Sequence, residues 1–181
     1  MNLANAITSF RLLLIPLIVG VYHSDWAFSN VSAAALFTIA SLSDWLDGYF
    51  ARRLQIATDL GAFLDPVADK LLVTTVLVML AQRFSILLIP AIVIISREIV
   101  ISALREWMAR KGRREEVAVV FSGKLKTTFQ MLAIIALILV HESSPDYLLS
   151  LGQGMIYLAA LLSLYSAYYY LKMAKPFLSG S

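Results

Sequence analysis

The chain has 181 residues, 60% of them hydrophobic and 15% charged, where an average soluble domain is about 45 to 50% apolar and about 25% charged. With a mean hydropathy of +0.78 and apolar runs from end to end, it is expected to be an all-α integral membrane protein forming a single domain over residues 1–181. The absence of cysteine excludes disulfides, thiolate nucleophiles and cysteine metal sites, and two histidines exclude a multi-histidine centre. The net charge of +3 reads as basic flanks of apolar spans, not as a nucleic-acid surface.

Six spans are predicted in chain order: Ala4 to Tyr22, Val31 to Ala51, Pro66 to Ala81, Phe84 to Met108, Val117 to Val140 and Tyr147 to Leu171. The first lacks a basic leader and carries Arg11 inside it, so it reads as a retained helix and not a signal peptide. The connections His23 to Asn30, Gln82 to Ser85 and His141 to Asp146 hold one basic residue, Arg83. The other side collects Arg52, Arg53, Arg105, Arg110, Lys111, Arg113, Arg114, Lys124, Lys126, Lys172 and Lys175. Basic residues mark the cytoplasmic face, so both termini are expected in the cytoplasm.

The polar residues within the spans cluster toward that face. Asp44 and Asp47 lie near the end of the second span, Asp65 and Asp69 at the start of the third, Arg97 and Arg105 in the later half of the fourth, Lys124 and Lys126 at the start of the fifth. At 1.5 Å of rise per residue, Asp44 lies roughly 10 Å deeper than Ala51. The opposite halves, such as Leu71 to Ala81 and Ala133 to Val140, are plainly apolar. The expected site is a half-membrane cavity open to the cytosol.

Spacings of three (Asp44, Asp47) and four (Asp65, Asp69) put each pair on one helical face, and a short reversal lets the faces meet. An intramembrane aspartate costs roughly 2.5 to 3.5 kcal/mol, and crowding carboxylates adds to that. Lys70 and nearby arginines are the competing side-chain cations. Two divalent cations are the economical counter-charge, and an all-oxygen donor set favours Mg2+ or Mn2+. Gly48 and Ala51 leave the same face of the second span without bulk beside the carboxylates. Structural alternatives exist: Asp65 before Pro66 suits a helix N-cap with proline at the first helical position, and Asp44 and Asp47 suit ion pairs with Arg52, Arg53 or Lys70.

The stretch Asp44-x-x-Asp47-Gly48-x-x-Ala51-Arg52, eight residues, then Gly61-x-x-x-Asp65-x-x-x-Asp69 resembles the signature of the CDP-alcohol phosphotransferase family at all eight named positions. The start, Asn2 to Arg11, is similar to the family's N-x-P-N-x-x-T-x-x-R entry motif, with Ala4 in place of the proline. Ala62 to Lys70, Arg97 to Trp107 and Gly123-Lys124-x-Lys126-Thr127 resemble the bacterial members that make phosphatidylglycerophosphate. The resemblance implies a six-helix enzyme of the bacterial inner membrane that transfers a phosphatidyl group from CDP-diacylglycerol to sn-glycerol 3-phosphate and releases CMP, with a homodimer allowed. It implies Asp44, Asp47 and Asp65 as metal ligands and Asp69 as general base, also reaching a metal. Asn5, Thr8, Asp44, Gly48, Ala51, Arg52 and Gly61 are implied around CDP-diacylglycerol.

Arg97, Arg105, Lys124 and Lys126 are candidates for the acceptor phosphate. Arg110, Lys111, Arg113 and Arg114 read instead as inside-positive anchoring, and the tyrosines at 165 and 168 to 170 as interfacial or packing residues. Gly123-Lys124 is not a P-loop, because Leu125 stands where Ser or Thr is required. Inositol phosphate, serine or phosphatidylglycerol are other acceptors within the family chemistry. A cation transporter is the rival from another class, and the apolar non-cytoplasmic halves of the spans argue against it.

Overall fold

The computed structural model describes residues 3–54, 59–112, 121–141 and 143–178, and among these every regular element is helical. Six α-helices run in order: α1 Leu3–Tyr22, α2 Ser29–Leu54, α3 Asp59–Arg83, α4 Leu88–Arg110, α5 Phe121–Leu139 and α6 Asp146–Leu178. A 3-10 turn, Ser85–Leu87, leads into α4. Among the described residues, two stretches are long and apolar enough to cross a membrane, Ser85–Arg110 and Asp146–Lys175.

Packing follows the closed order α1, α2, α5, α6, α4, α3 and back to α1. The shared core draws on every helix, with Ile18, Phe37, Leu77, Ile94, Ile134 and Ala159 each buried. Alanines at 33, 40, 133 and 159 let backbones approach closely. Gly152 on α6 is the tightest case: an added Cβ would lie 2.7 Å from Leu137 Cγ of α5. Away from these seams the helices expose large apolar side chains, among them Leu13, Leu17, Ile89, Ile92, Leu132 and Leu161. Contiguous apolar surface of that kind is rare on monomers in water.

Side-chain bonds fix which helix ends lie together. Asn30, at the start of α2, donates to the carbonyls of Ile138 and Val140 at 2.7 Å each, satisfying carbonyls left open where α5 ends. Arg83 at the end of α3 donates to the Tyr22 hydroxyl at the end of α1 (2.9 Å). Tyr157 of α6 donates to the Ile86 carbonyl (2.9 Å). The ends of α1, α3 and α5 therefore share a level with the starts of α2 and α4, as alternating hairpins require.

Two expectations are corrected. Helix α3 begins at Asp59 and contains Pro66, so Asp65 is not an N-cap. The polar, glycine-containing turn Asp59 to Asp65 falls outside an apolar window yet continues the helix, although Pro66 can donate no bond to the residue four before it. Helix α6 runs on past Leu171 to Leu178, because Tyr170, Ala174 and Phe177 pack on Ile101, Leu104 and Met108 of α4. The expected span start at Val117, together with Arg113 and Arg114, lies outside the described residues.

Candidate active site

Counting along the helices from the Tyr22 end places the polar residues at a common level. Asp44 comes fourteen residues after Asn30, Asp69 fourteen before Arg83, and Lys126 thirteen before Leu139. Each is roughly 20 Å from that end at 1.5 Å per residue. Backbone positions alone thus bring the second, third and fifth helices' charged residues to one layer. The side chains of Asn5, Asp44, Asp47, Gly48, Ala51, Arg52 and Lys124 lie outside the described residues.

Asp65 and Asp69, one turn apart on α3, are both partly buried. Arg11 on α1 is 0% exposed and donates from Nη1 to Asp65 Oδ1 at 3.0 Å, while the Asp65 side chain is 40% exposed. Thr8, one turn before Arg11, is buried as well. Lys70 turns back on its own helix, donating to the Pro66 carbonyl at 3.1 Å. Asp65 is thus paired with an arginine of the first helix, a cation not among the competitors named from the sequence.

A second cluster joins α4, α5 and α6. Glu98 accepts from Arg97 Nη1 at 3.1 Å and from Lys126 Nζ. Arg97 Nη2 donates to Ser166 Oγ at 2.8 Å, and its guanidinium lies 5.8 Å from the Tyr170 ring centroid. Two cations share one carboxylate, so the cluster keeps a net positive charge. Lys126 is 3% exposed at its side chain and Arg97 11%, which supports long cationic chains held for a purpose beyond anchoring at a surface.

Between α3, α4 and α5 lies a cavity of about 70 Å³ whose walls include Asp69, Lys70, Glu98, Lys126 and Gln130. It unites the expected base, Asp69, with one of the four expected phosphate-binding cations, Lys126. Arg97 is not a wall residue and reaches the cavity through Glu98. Arg105 is exposed, two turns farther along α4. Gly61 is partly buried on α3, one turn before Asp65. Sequence reasoning gave no role to Arg11, Glu98 or Gln130. For Arg11 and Glu98 a signal was present: a charge inside an apolar span, and an acid directly beside a deep arginine.

Among the described residues no three His, Asp or Glu side chains gather closely enough to hold a metal ion. The two α3 carboxylates are the described half of the expected set. They supply only hard oxygen donors, and the Arg11 bond occupies Oδ1 of Asp65, leaving Oδ2 as a donor. That chemistry fits Mg2+ or Mn2+.

The geometry agrees with comparisons across known proteins. A family model described as CDP-alcohol phosphatidyltransferase matches residues 1–165. A CDP-diacylglycerol–glycerol-3-phosphate 3-phosphatidyltransferase of Sodalis glossinidius is 42% identical over 178 residues, covering 97% of this chain and 96% of its own. Proteins of the same name from Pectobacterium atrosepticum and Salmonella typhimurium are each 42% identical over 176 residues, covering 96% of this chain and 95% of theirs. A match over most of the length, on a bundle that sets the signature's fourth aspartate in a cavity with Lys126, places the chain in the CDP-alcohol phosphatidyltransferase family.

Proposed function

We propose that the chain transfers the phosphatidyl group of CDP-diacylglycerol to the primary hydroxyl of sn-glycerol 3-phosphate, giving phosphatidylglycerophosphate and CMP. The observation that carries this reading is the shared cavity of Asp69 and Lys126, in a chain whose 42% identical relatives bear the name of that transferase. The protein is read as a single six-span domain of the bacterial inner membrane, with both termini and the cavity mouth toward the cytosol. The outward-facing leucines and isoleucines and the basic Asp65 end support that orientation. A lipid donor then keeps its tails in the bilayer while a doubly charged acceptor arrives from water.

Asp69 would hold the attacking hydroxyl and accept its proton, a role its position on the cavity wall supports. Lys126 meets the acceptor's phosphate, and Glu98, braced by Arg97, sets where the ammonium sits. Asp44, Asp47, Asp65 and Asp69 would hold two divalent cations, Mg2+ or Mn2+. When bound, these neutralise the diphosphate and the charge developing on the departing CMP. Asn5, Thr8, Gly48, Ala51, Arg52 and Gly61 are proposed to border the donor. Thr8 is buried on α1, one turn from Arg11.

The test is CMP release from CDP-diacylglycerol by purified protein across a panel of alcohol acceptors, with and without chelator. Release is expected with sn-glycerol 3-phosphate, stopped by chelation and restored by magnesium or manganese. Equal release with no acceptor, or full turnover after exhaustive chelation, would count against the reading.

Lys126→Met is expected to raise KM for sn-glycerol 3-phosphate roughly tenfold to a hundredfold, because a charge-assisted bond is worth about 1.5 to 3 kcal/mol. KM for the donor should hold. A matched rise in both constants would make Lys126 a packing residue only.

A further inference from the structure

We infer that Gln130 reads the secondary hydroxyl of the acceptor, its carboxamide oxygen taking a hydrogen bond from the alcohol at the central carbon of a glycerol phosphate. The inference rests on the proposed transfer reaction and names the residue that selects its acceptor.

Gln130 is 3% exposed, and its Oε1 is buried with no hydrogen-bond partner among the described residues. Buried polar atoms are almost always satisfied by protein or by water, so an orphaned acceptor at the wall of a cavity needs an account. Three observations supply it. Gln130 lies one turn after Lys126 on α5, so both side chains leave the same face of that helix. Both line the cavity that Asp69 also lines. Gln130 is the deeper of the two, by roughly 6 Å of helix rise, and at its depth the walls Val73, Ile94 and Met131 offer no hydrogen bond, which leaves the Thr74 hydroxyl as the competing group there.

A glycerol phosphate carries three polar groups on three adjacent carbons. Its phosphate meets the cation Lys126 and its terminal hydroxyl meets the base Asp69. The remaining hydroxyl is a donor that, carried into an apolar recess, must find an acceptor. Oε1 of Gln130 is that acceptor. A site built around a buried hydrogen bond discriminates against analogues lacking the group, because the protein atom is then stranded. Without substrate, a water fits the same place, since the cavity exceeds the roughly 30 Å³ of one water.

The experiment compares kcat/KM, read as CMP release, for sn-glycerol 3-phosphate and for 3-hydroxypropyl phosphate, which lacks only the secondary hydroxyl. Wild type is expected to prefer the glycerol compound by about tenfold or more. Gln130→Met, similar in length and without the acceptor, should bring the ratio near one. Gln130→Glu, which keeps an accepting oxygen, should retain the preference even if both rates fall. Thr74→Val, removing the competing hydroxyl at that depth of the wall, should leave the ratio unchanged. Each ratio is taken within one preparation, so a smaller folded fraction cancels. A wild type indifferent to the hydroxyl, a preference surviving in Gln130→Met, or one lost in Thr74→Val instead would overturn the assignment. A wild type that uses neither phosphate but releases CMP with a different alcohol would overturn the proposed acceptor, and this inference with it.

Discussion

Replacing Asp69 with asparagine is expected to lower turnover by about 10²- to 10⁴-fold, the range that a positioned general base contributes, while leaving CDP-diacylglycerol binding nearly intact. Asparagine keeps the size of the side chain and removes its charge and its ability to take a proton. The residue lines the cavity beside Lys126, on the acceptor side of the proposed reaction. Part of the loss comes from the attacking hydroxyl no longer being held in line. Donor binding and single-turnover rate, measured on one preparation, check this. An equal loss of donor affinity and rate would make Asp69 a ligand of the donor site alone. As a control, Glu106→Gln breaks the exposed pair with Arg110 (2.5 Å, side chains 65% and 78% exposed). It is expected to change neither quantity, since surface pairs one turn apart are worth only a few tenths of a kcal/mol.

What could be read along the chain was what helices repeat along themselves. The six apolar runs emerged because a span of about 20 residues is longer than chance apolar stretches. The aspartate pairs emerged because spacings of three and four mark one face. The layer of Asp44, Asp69 and Lys126 followed from alternating hairpins and helix rise. Contacts made across the bundle have no such period. Arg11 meets Asp65 across 54 positions and Lys126 meets Glu98 across 28, and no spacing rule joins residues so far apart. Glu98 and Gln130 therefore carry no signal of their shared cavity along the chain. Arg105 shows the same limit from the other direction. Eight residues from Arg97 it shares that residue's side of a helical wheel, yet two turns of rise carry it beyond the cavity to an exposed position.

The other large effect is expected on stability, at the pair between α1 and α3. Arg11 is fully buried and Asp65 is 40% exposed at its side chain, so the two ends of one 3.0 Å bond stand in different media. Removing one partner of a buried pair costs about 3 to 5 kcal/mol, because a desolvated charge is left behind. The exposure of Asp65 argues for the lower end of that range. It also predicts an order. Asp65→Asn removes the negative charge that faces a guanidinium inside the bundle, and should be the more damaging change, about 3 kcal/mol. Arg11→Met leaves a carboxylate that water already reaches, and should cost less. Asp65→Asn combined with Arg11→Met should recover part of the loss, because an apolar chain of similar length then fills the buried position and no charge is stranded. Thermal unfolding in detergent under chelation reads the pair without contribution from bound metal. If the double variant is as unstable as the sum of the singles, the bond contributes no coupling. Arg11 would then matter for its packing between α1 and α3, not for its charge.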